Sequence, residues 1–89
     1  MTTRRYALEF APKAVRTLPK LDRLVVERIR TATEALRDEP RPPGAKMLTR
    51  AHGVWGSGFQ GDYRVLYTID DYKLVVLIVD AGHRRQIYR

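Results

Sequence analysis

The stretch from residue 61 to residue 88, GDYRVLYTIDDYKLVVLIVDAGHRRQIY, constrains the fold of this chain more than any other part. Between residues 63 and 69, aromatic and β-branched side chains recur at a period of two, which predicts a β-strand. Residues 70–73, Asp-Asp-Tyr-Lys, favour a turn, and six apolar residues then run unbroken from Leu74 to Val79. Such a run predicts a strand that is buried on both faces at the centre of a sheet. We therefore expect the chain to fold around a long hairpin.

A cluster of cationic and aromatic side chains follows this hairpin. The second strand is expected to end at Gly82. The cluster that follows consists of His83, Arg84, Arg85 and Tyr88. Arg64 lies on the neighbouring predicted strand. Because several cations and a phenol reach one edge of an apolar sheet together, the pattern indicates a functional site rather than ordinary surface.

The net charge indicates what kind of partner this protein has. Seventeen Lys and Arg residues against ten Asp and Glu residues give a formal charge of +7 and an isoelectric point near 10.3. A small domain this basic typically binds a polyanion, either a nucleic acid or an acidic protein segment. The charge by itself does not distinguish these two partners.

The length and the residue content exclude several classes of protein. A chain of 89 residues forms one domain, spanning residues 1–89. No apolar run approaches the roughly 20 residues that span a bilayer, and no apolar segment follows the two arginines near the N-terminus, so we expect a cytoplasmic protein. The absence of cysteine excludes disulfides and thiol catalysis. The two histidines are isolated from carboxylates at ligand spacing, so we expect no metal and no other cofactor.

The order of the predicted elements gives an α+β fold. A strand is predicted over residues 4–10, a helix begins near Pro12 and is ended or interrupted by Pro19, and a second amphipathic helix runs over residues 21–38. Three glycines within residues 53–58 weaken the prediction of a strand over residues 54–59, because glycine is unfavourable in a strand and often marks a bulge. We still expect a strand there, on position rather than propensity. The prediction is a strand, a two-helix hairpin and then three or four strands, with both helices packed on one face of a mostly antiparallel sheet.

Four segments of the chain resemble the RelE/ParE superfamily of bacterial toxin–antitoxin systems, and more closely its RelE branch. They are GDYRVLY at residues 61–67, IDD at 69–71, GHRRQIY at 82–88 and GAKML at 44–48. The resemblance extends over nearly the whole chain. It implies a RelE-like fold, a ribonuclease that cuts messenger RNA in the ribosomal A site (an mRNA interferase), and neutralisation by a cognate acidic antitoxin.

The resemblance also implies which residues act on RNA. The arginine of the tyrosine-arginine pair, the arginine after the glycine and the closing tyrosine are functional in the family, and they correspond to Arg64, Arg84 and Tyr88. His83 is the basic residue that directly follows the glycine. Further candidates for contact with RNA or the ribosome are Lys46, Arg50 and Arg85.

One part of the chain departs from the family pattern. RelE-like members usually carry two cations at alternating positions on the strand before the tyrosine-arginine pair, whereas residues 54–60 contain none. Gly56, Ser57 and Gly58 stand about where those cations are expected. This departure predicts a weakened nuclease activity.

Metal-free cleavage of RNA requires a base for the 2′-hydroxyl, cations for the charge on the phosphorane and an acid for the departing 5′-oxygen. Arg64 and Arg84 suit the phosphate, because a guanidinium binds two phosphate oxygens at once. Two hypotheses remain for the proton transfers. Either Tyr88 is the base or proton relay, or His83 is the acid–base residue and Tyr88 stacks on a nucleobase.

Two other functions fit the same resemblance. A ParE-like toxin would bind DNA gyrase without catalysing a reaction, and it would not need an RNA-cutting site. A catalytically inactive relative would retain only its affinity for the antitoxin. The basic cluster after Gly82 argues against the gyrase inhibitor. Only a growth assay on induced expression distinguishes the inactive relative.

Overall fold

The computed structural model describes residues 5–48, 53–59, 62–83 and 85. The elements, in chain order, are β1 (Ala7–Phe10), α1 (Pro12–Thr17), a 3-10 turn (Leu18–Lys20), α2 (Arg23–Ala35), β2 (Lys46–Met47), β3 (Val54–Phe59), β4 (Tyr63–Asp70) and β5 (Val75–His83). None of the helices within these ranges is long and apolar enough to cross a bilayer.

The predicted hairpin is formed by β4 and β5, which pair antiparallel from Tyr63 opposite His83 to Asp70 opposite Val75. The Oδ1 atom of Asp70 accepts hydrogen bonds from the backbone of the two residues at 72 and 73, as is typical of an Asx turn. Leu74 closes this turn with a φ of 58°, a left-handed conformation that excludes it from the strand. The strand therefore begins one residue later than predicted, and it continues beyond Gly82 instead of ending there.

The five strands form one sheet in the order β1-β5-β4-β3-β2. Strand β1 pairs with β5 in parallel, and every other pair is antiparallel. The expected architecture is confirmed, including the first strand joining the sheet of the later ones. Strand β5 lies between two neighbours, as predicted, but its burial alternates between partial and full from Val75 to Asp80. The prediction of burial on both faces was wrong because the helices cover only one face of the sheet.

The helices follow local signals in the sequence. Proline at position 12 occupies the first turn of α1, where its missing N–H is not needed. Pro19 lies in the 3-10 turn that separates the two helices, as its inability to continue a helix requires. Helix α2 begins after Asp22, whose side chain accepts a hydrogen bond of 2.8 Å from the N–H of Leu24. It ends at Ala35 rather than near residue 38, because residues 36–38 form turns.

The hydrophobic core lies between the helices and one face of the β4–β5 hairpin. Side chains of a strand alternate between the two faces, and cross-strand partners share a face. The core-facing residues are Val65, Tyr67, Val76, Ile78 and Ala81 of the sheet, which cluster with Ala14, Ile29 and Leu36 from the helical side. The intervening positions, Arg64 among them, therefore belong to the opposite face. That face carries the candidate site.

Candidate functional site

Arg64 lies on β4 between two glycines of the neighbouring strands. Its cross-strand partners are Gly58 on β3 and Gly82 on β5. The side chain is half-buried, and one guanidinium nitrogen donates a hydrogen bond of 3.0 Å to the carbonyl of Tyr63. A Cβ atom at position 58 would lie 2.8 Å from the Arg64 Cζ atom, closer than real Cβ atoms approach other atoms. The guanidinium thus occupies the space that a side chain at position 58 would need.

Arg64 and Lys46 line the same cavity. The cavity has a volume of about 390 Å³, and the described residues that line it are Pro43, Gly44, Lys46, Gly58 and Arg64. Lys46 pairs with Gly56 across β2 and β3, so the register places it on the same face as Gly58 and Arg64. The structure therefore brings a predicted catalytic cation and a predicted RNA-contacting cation to one cavity.

The segment before Lys46 is held in place by Arg41. Its guanidinium donates to both carboxylate oxygens of Asp71, at 3.2 and 2.8 Å, and its Cζ lies 5.2 Å from the centre of the Trp55 ring. The hydroxyl of Tyr6 donates to the same carboxylate at 2.6 Å. These contacts attach residues 36–45, the linker between α2 and β2, to the β4–β5 turn, to β3 and to the residue before β1. Gly44, at a φ of 92°, then turns the chain into β2.

The hydrogen bonds among Tyr6, Arg41 and Asp71 shift the pKa values of Asp71 and Tyr6. Hydrogen bonds from Arg41 and then from Tyr6 lower the pKa of Asp71 to about 2. The hydrogen bond to Asp71 raises the pKa of Tyr6, because the phenol donates to a carboxylate and loses that bond when it ionises. Asp71 is therefore ionised, and Tyr6 remains a neutral donor, throughout the ordinary pH range.

His83 has partners different from those of Arg64. Its ring packs edge-on against Tyr63, its cross-strand partner, with the ring centres 5.5 Å apart. The Nδ1 atom accepts a hydrogen bond of 3.2 Å from the N–H of Arg85, and Nε2 lies 3.9 Å from a carboxylate oxygen of Asp62. A neutral imidazole whose Nδ1 accepts carries its proton on Nε2. The lone pair that a general base would use is therefore already bonded to the backbone.

The register separates His83 from Arg64. Tyr63 and His83 form one cross-strand pair, and Arg64 and Gly82 form the next, so the two pairs belong to opposite faces of the pleat. Arg85 is exposed. Arg50, Arg84 and Tyr88 lie outside the described residues, so their assigned roles stay predictions. Within the described residues, no group of three or more His, Asp or Glu side chains could hold a metal ion.

The role of Gly58 was not predicted from the sequence. In the sequence, the glycines at 56 and 58 mark positions where cations are missing and predict a weakened strand. Residues 54–59 nevertheless form β3, as expected. A glycine inside a strand often marks a close approach of another group, and here the group is the Arg64 side chain on the paired strand. That signal was present in the sequence, but the identity of the approaching group required the register.

Comparison with known proteins gives consistent results. A sequence profile of the family described as the ParE toxin of the type II toxin–antitoxin system parDE matches residues 8–88. The toxin RelG of Mycobacterium tuberculosis is 35% identical over 85 residues, which cover 94% of this chain and 97% of RelG.

Two solved structures are similar to this chain in fold and in sequence. The toxin–antitoxin complex RelBE2 of Mycobacterium tuberculosis contains a chain with a TM-score of 0.80 and 30% identity, covering 93% of this chain and 95% of that one. The intact RelBE complex of E. coli contains a chain with a TM-score of 0.75 and 25% identity, covering 88% and 95%. Together with the profile and the similarity to RelG, these matches show that the chain belongs to the ParE toxin family of type II toxin–antitoxin systems, as a RelE-like toxin.

Proposed function

We propose that this toxin is a ribosome-dependent, metal-independent endoribonuclease that cleaves messenger RNA. The observation that carries the proposal is the placement of Arg64, whose guanidinium is held above Gly58 in a cavity that Lys46 also lines. A nuclease needs fixed cations where negative charge develops on the phosphorane, and such preorganised groups are usually the largest catalytic contribution. The similarity to RelE-type toxins supports the same reaction.

In the proposed reaction, the 2′-oxygen of a ribose attacks the adjacent phosphorus and loses its proton to a base. The bond from phosphorus to the 5′-oxygen of the next nucleotide then breaks, and an acid protonates that oxygen. The products are a 2′,3′-cyclic phosphate and a 5′-hydroxyl. Arg64 and Arg84 hold the phosphate oxygens, because a guanidinium offers two parallel donors in the geometry of a phosphate.

Tyr88 is the better candidate for the proton transfers. The Nδ1 atom of His83 is occupied by the N–H of Arg85, and its ring packs on Tyr63 on the face opposite Arg64. His83 is better suited to hold the end of β5 and the start of the segment that follows. A phenol has a pKa near 10, so Tyr88 requires neighbouring cations to favour its anion. Arg64 and Arg84 are the cations that we assign to this role.

The partner of the toxin, in this proposal, is an acidic antitoxin in the cytoplasm. RelBE2 of Mycobacterium tuberculosis and RelBE of E. coli are described as toxin–antitoxin complexes. A net charge of +7 favours association with an acidic segment, and a segment that folds on binding can cover a large part of a small toxin.

The nuclease is tested by mapping the cleavage of a message bound to ribosomes. Replacing Arg64 by Ala should lower the cleavage rate about 10²–10³-fold, because a preorganised donor to the transition state is lost. Replacing it by Lys should restore only part of the rate, since the charge remains but the two-pronged geometry does not. Arg28→Ala removes an exposed arginine from α2 and serves as the control of equal charge.

The same assay separates the two proton-transfer hypotheses. We expect Tyr88→Phe to abolish most of the activity and His83→Gln to retain most of it. A loss in His83→Gln as large as in Arg64→Ala would instead make the imidazole the acid–base residue. Full activity in Arg64→Ala, with cleavage mapped to the same positions as in the wild type, would contradict the proposed site itself.

The alternative function is inhibition of DNA gyrase. It is favoured by the match to the ParE toxin profile and by the absence of cations from β3 among residues 54–59. Incubating the protein with gyrase and relaxed plasmid, and separately with translating ribosomes, distinguishes the two activities. Loss of supercoiling together with intact message would establish the gyrase inhibitor. If neither reaction is affected and induced expression does not slow cell growth, the protein is an inactive relative.

A further inference from the structure

We propose that Lys46 and Arg64 form a two-cation site for one backbone phosphate of single-stranded RNA. The absence of a side chain at Gly58 leaves the space that the Arg64 guanidinium occupies in this site. The inference rests on the proposed function for the identity of the ligand. It goes further by assigning a phosphate to one cavity, a binding partner to Lys46 and a steric requirement to Gly58.

The charges around the cavity support an anionic ligand. Its described lining contains two cations, Lys46 and Arg64, and no carboxylate. Four other described cations form ion pairs with carboxylates: Lys13 with Asp80, Arg41 with Asp71, and Arg5 and Arg37 with Glu34, which they share. Lys46 is exposed and forms no ion pair with any residue in the described ranges. An ammonium beside a guanidinium is stabilised when an anion lies between them.

The shape of the cavity suits a phosphate and its sugar. A volume of about 390 Å³ falls within the roughly 300–1,000 Å³ of ordinary ligand sites. Gly58 and Gly44 contribute no side chains, so backbone forms part of the wall. The guanidinium is held by its hydrogen bond to the Tyr63 carbonyl at 3.0 Å and therefore need not be ordered when the ligand arrives.

An acidic peptide is the competing ligand, and the lining argues against it. A protein segment that folds on binding needs apolar pockets for its anchor residues. The only apolar side chain among the described lining residues is that of Pro43. A separate groove between β1 and α2 is apolar instead, with a lining that includes Leu8, Phe10, Leu18, Val26 and Ile29. The Lys46–Arg64 cavity offers charge without such anchors, which fits a nucleic-acid backbone.

The position of Gly58 leads to an unexpected consequence. A side chain at 58 would meet the end of the Arg64 side chain, which can swing away at little cost in stability but would then leave the cavity. Adding a cation at 58 should therefore weaken RNA binding instead of strengthening it. In this protein Lys46, on the neighbouring strand β2, supplies the second charge on that face.

The test measures binding without cleavage. A short single-stranded RNA with 2′-O-methyl groups throughout cannot be cut, and its fluorescence anisotropy reports the dissociation constant over a range of salt concentrations. Lys46→Ala should weaken binding roughly tenfold at low salt, since one charge-assisted contact is lost. The slope of log K against log salt should fall by about 0.7, the value for one phosphate on a single strand. Lys73→Ala removes an exposed lysine from the β4–β5 turn, at the opposite end of the hairpin, and should change neither quantity beyond the effect of overall charge.

Gly58 is tested with the same ligand. Gly58→Ala and Gly58→Lys should both weaken binding by a factor similar to Arg64→Ala, while their melting temperatures stay close to that of the wild type. Ser57→Ala, one position along β3 and on the other face, is the matched control and should bind normally. Tighter binding by Gly58→Lys would overturn the steric role of Gly58.

The outcomes also separate this inference from the nuclease. If Lys46→Ala and Lys73→Ala bind RNA equally well, the two-cation site is wrong even when Arg64→Ala abolishes cleavage. If Lys46→Ala loses RNA binding but the wild type cuts no message on ribosomes, the phosphate site stands and the nuclease fails. A polyglutamate peptide is the competitor: affinity for it that depends on Lys46, with RNA binding unchanged, would assign the cavity to an acidic protein and overturn the inference.

Discussion

Tyr67 connects the core of this protein to the linker that precedes the site. Its side chain is fully buried, and its hydroxyl donates a hydrogen bond of 2.7 Å to the carbonyl of Pro40. Burial raises the pKa of this phenol to about 12, so it remains a donor at any ordinary pH. The bond satisfies a backbone carbonyl that would otherwise be left without a partner where the linker leaves the helices.

Replacing Tyr67 by Phe should therefore destabilise the protein by about 1–3 kcal/mol, the usual cost of leaving a buried acceptor unsatisfied. Urea denaturation followed by tryptophan fluorescence measures the change, with Trp55 as the reporter. Tyr72→Phe is the control, because Tyr72 is 99% exposed and should be neutral. Equal stability of the two variants would show that the carbonyl of Pro40 finds another donor.

Asp71 should give the stability of the protein a dependence on acid pH. Its pKa is about 2 in the folded protein and near 3.8 when unpaired. A depressed folded pKa contributes stability that is fully present above pH 3.8 and is lost as the pH falls towards 2. Asp71→Asn should remove this part of the acid dependence and should also loosen Arg41 and the linker.

The melting temperatures of the wild type and of Asp71→Asn are measured between pH 2 and pH 5 and compared at each pH. We expect the difference between the two melting temperatures to shrink as the pH is lowered through this window. Glu27→Gln, which neutralises an exposed acid on α2 outside this cluster, is the control for a general loss of negative charge. A constant difference across the window would mean that the Arg41–Asp71 pair does not carry the dependence.

At the scale of elements, each helix has a polar contact near its N-terminus. On α1, Lys13 pairs at 3.3 Å with Asp80, a carboxylate of β5 whose side chain is only 8% exposed and which also accepts from the N–H of Ala81. On α2, Asp22 provides the N-cap. The Lys13–Asp80 pair links α1 to β5, whereas the Asp22 cap acts within α2.

The cap of α2 leads to a prediction at this scale. Asp22→Ala should destabilise the protein by roughly 0.5–2 kcal/mol, because the first turn loses a hydrogen-bond acceptor, whereas Asp22→Ser should restore most of the loss. Chemical denaturation measures both. If Asp22→Ala and Asp22→Ser have the same free energy of unfolding, water satisfies the N–H of Leu24 and the packing of α2 alone stabilises the helix.

At the scale of the whole molecule, one face of the sheet is covered by helices and the other carries the site. Val65 and Tyr67 of β4 pack on the helical face, and Arg64 and Leu66 face the other way. This division explains why adjacent residues such as Tyr63 and Arg64 have different surroundings. It also explains why a basic protein can concentrate two cations in one cavity while most of its other charges lie on the helices and turns.

Much of the fold could be predicted from local patterns. The period of two over residues 63–69, the turn at 70–73, the proline that interrupts the helices and the α+β order all act within a few residues of the chain. The errors had local causes as well: Leu74 is apolar but takes a turn conformation, and Gly82 is permissive but stays in the strand. Patterns of hydrophobicity do not reveal backbone angles at single positions.

The sequence by itself determined that this is a small basic α+β protein with a cationic segment at the end of a long hairpin, because periodicity, turn residues and net charge are local or additive properties. Only the tertiary structure decided that Lys46 shares a cavity with Arg64, that Gly58 makes room for the guanidinium and that His83 lies on the other face. These relations depend on strand order and register. A shift of one residue in register would move every side chain to the opposite face, and the pairing of distant strands sets the register.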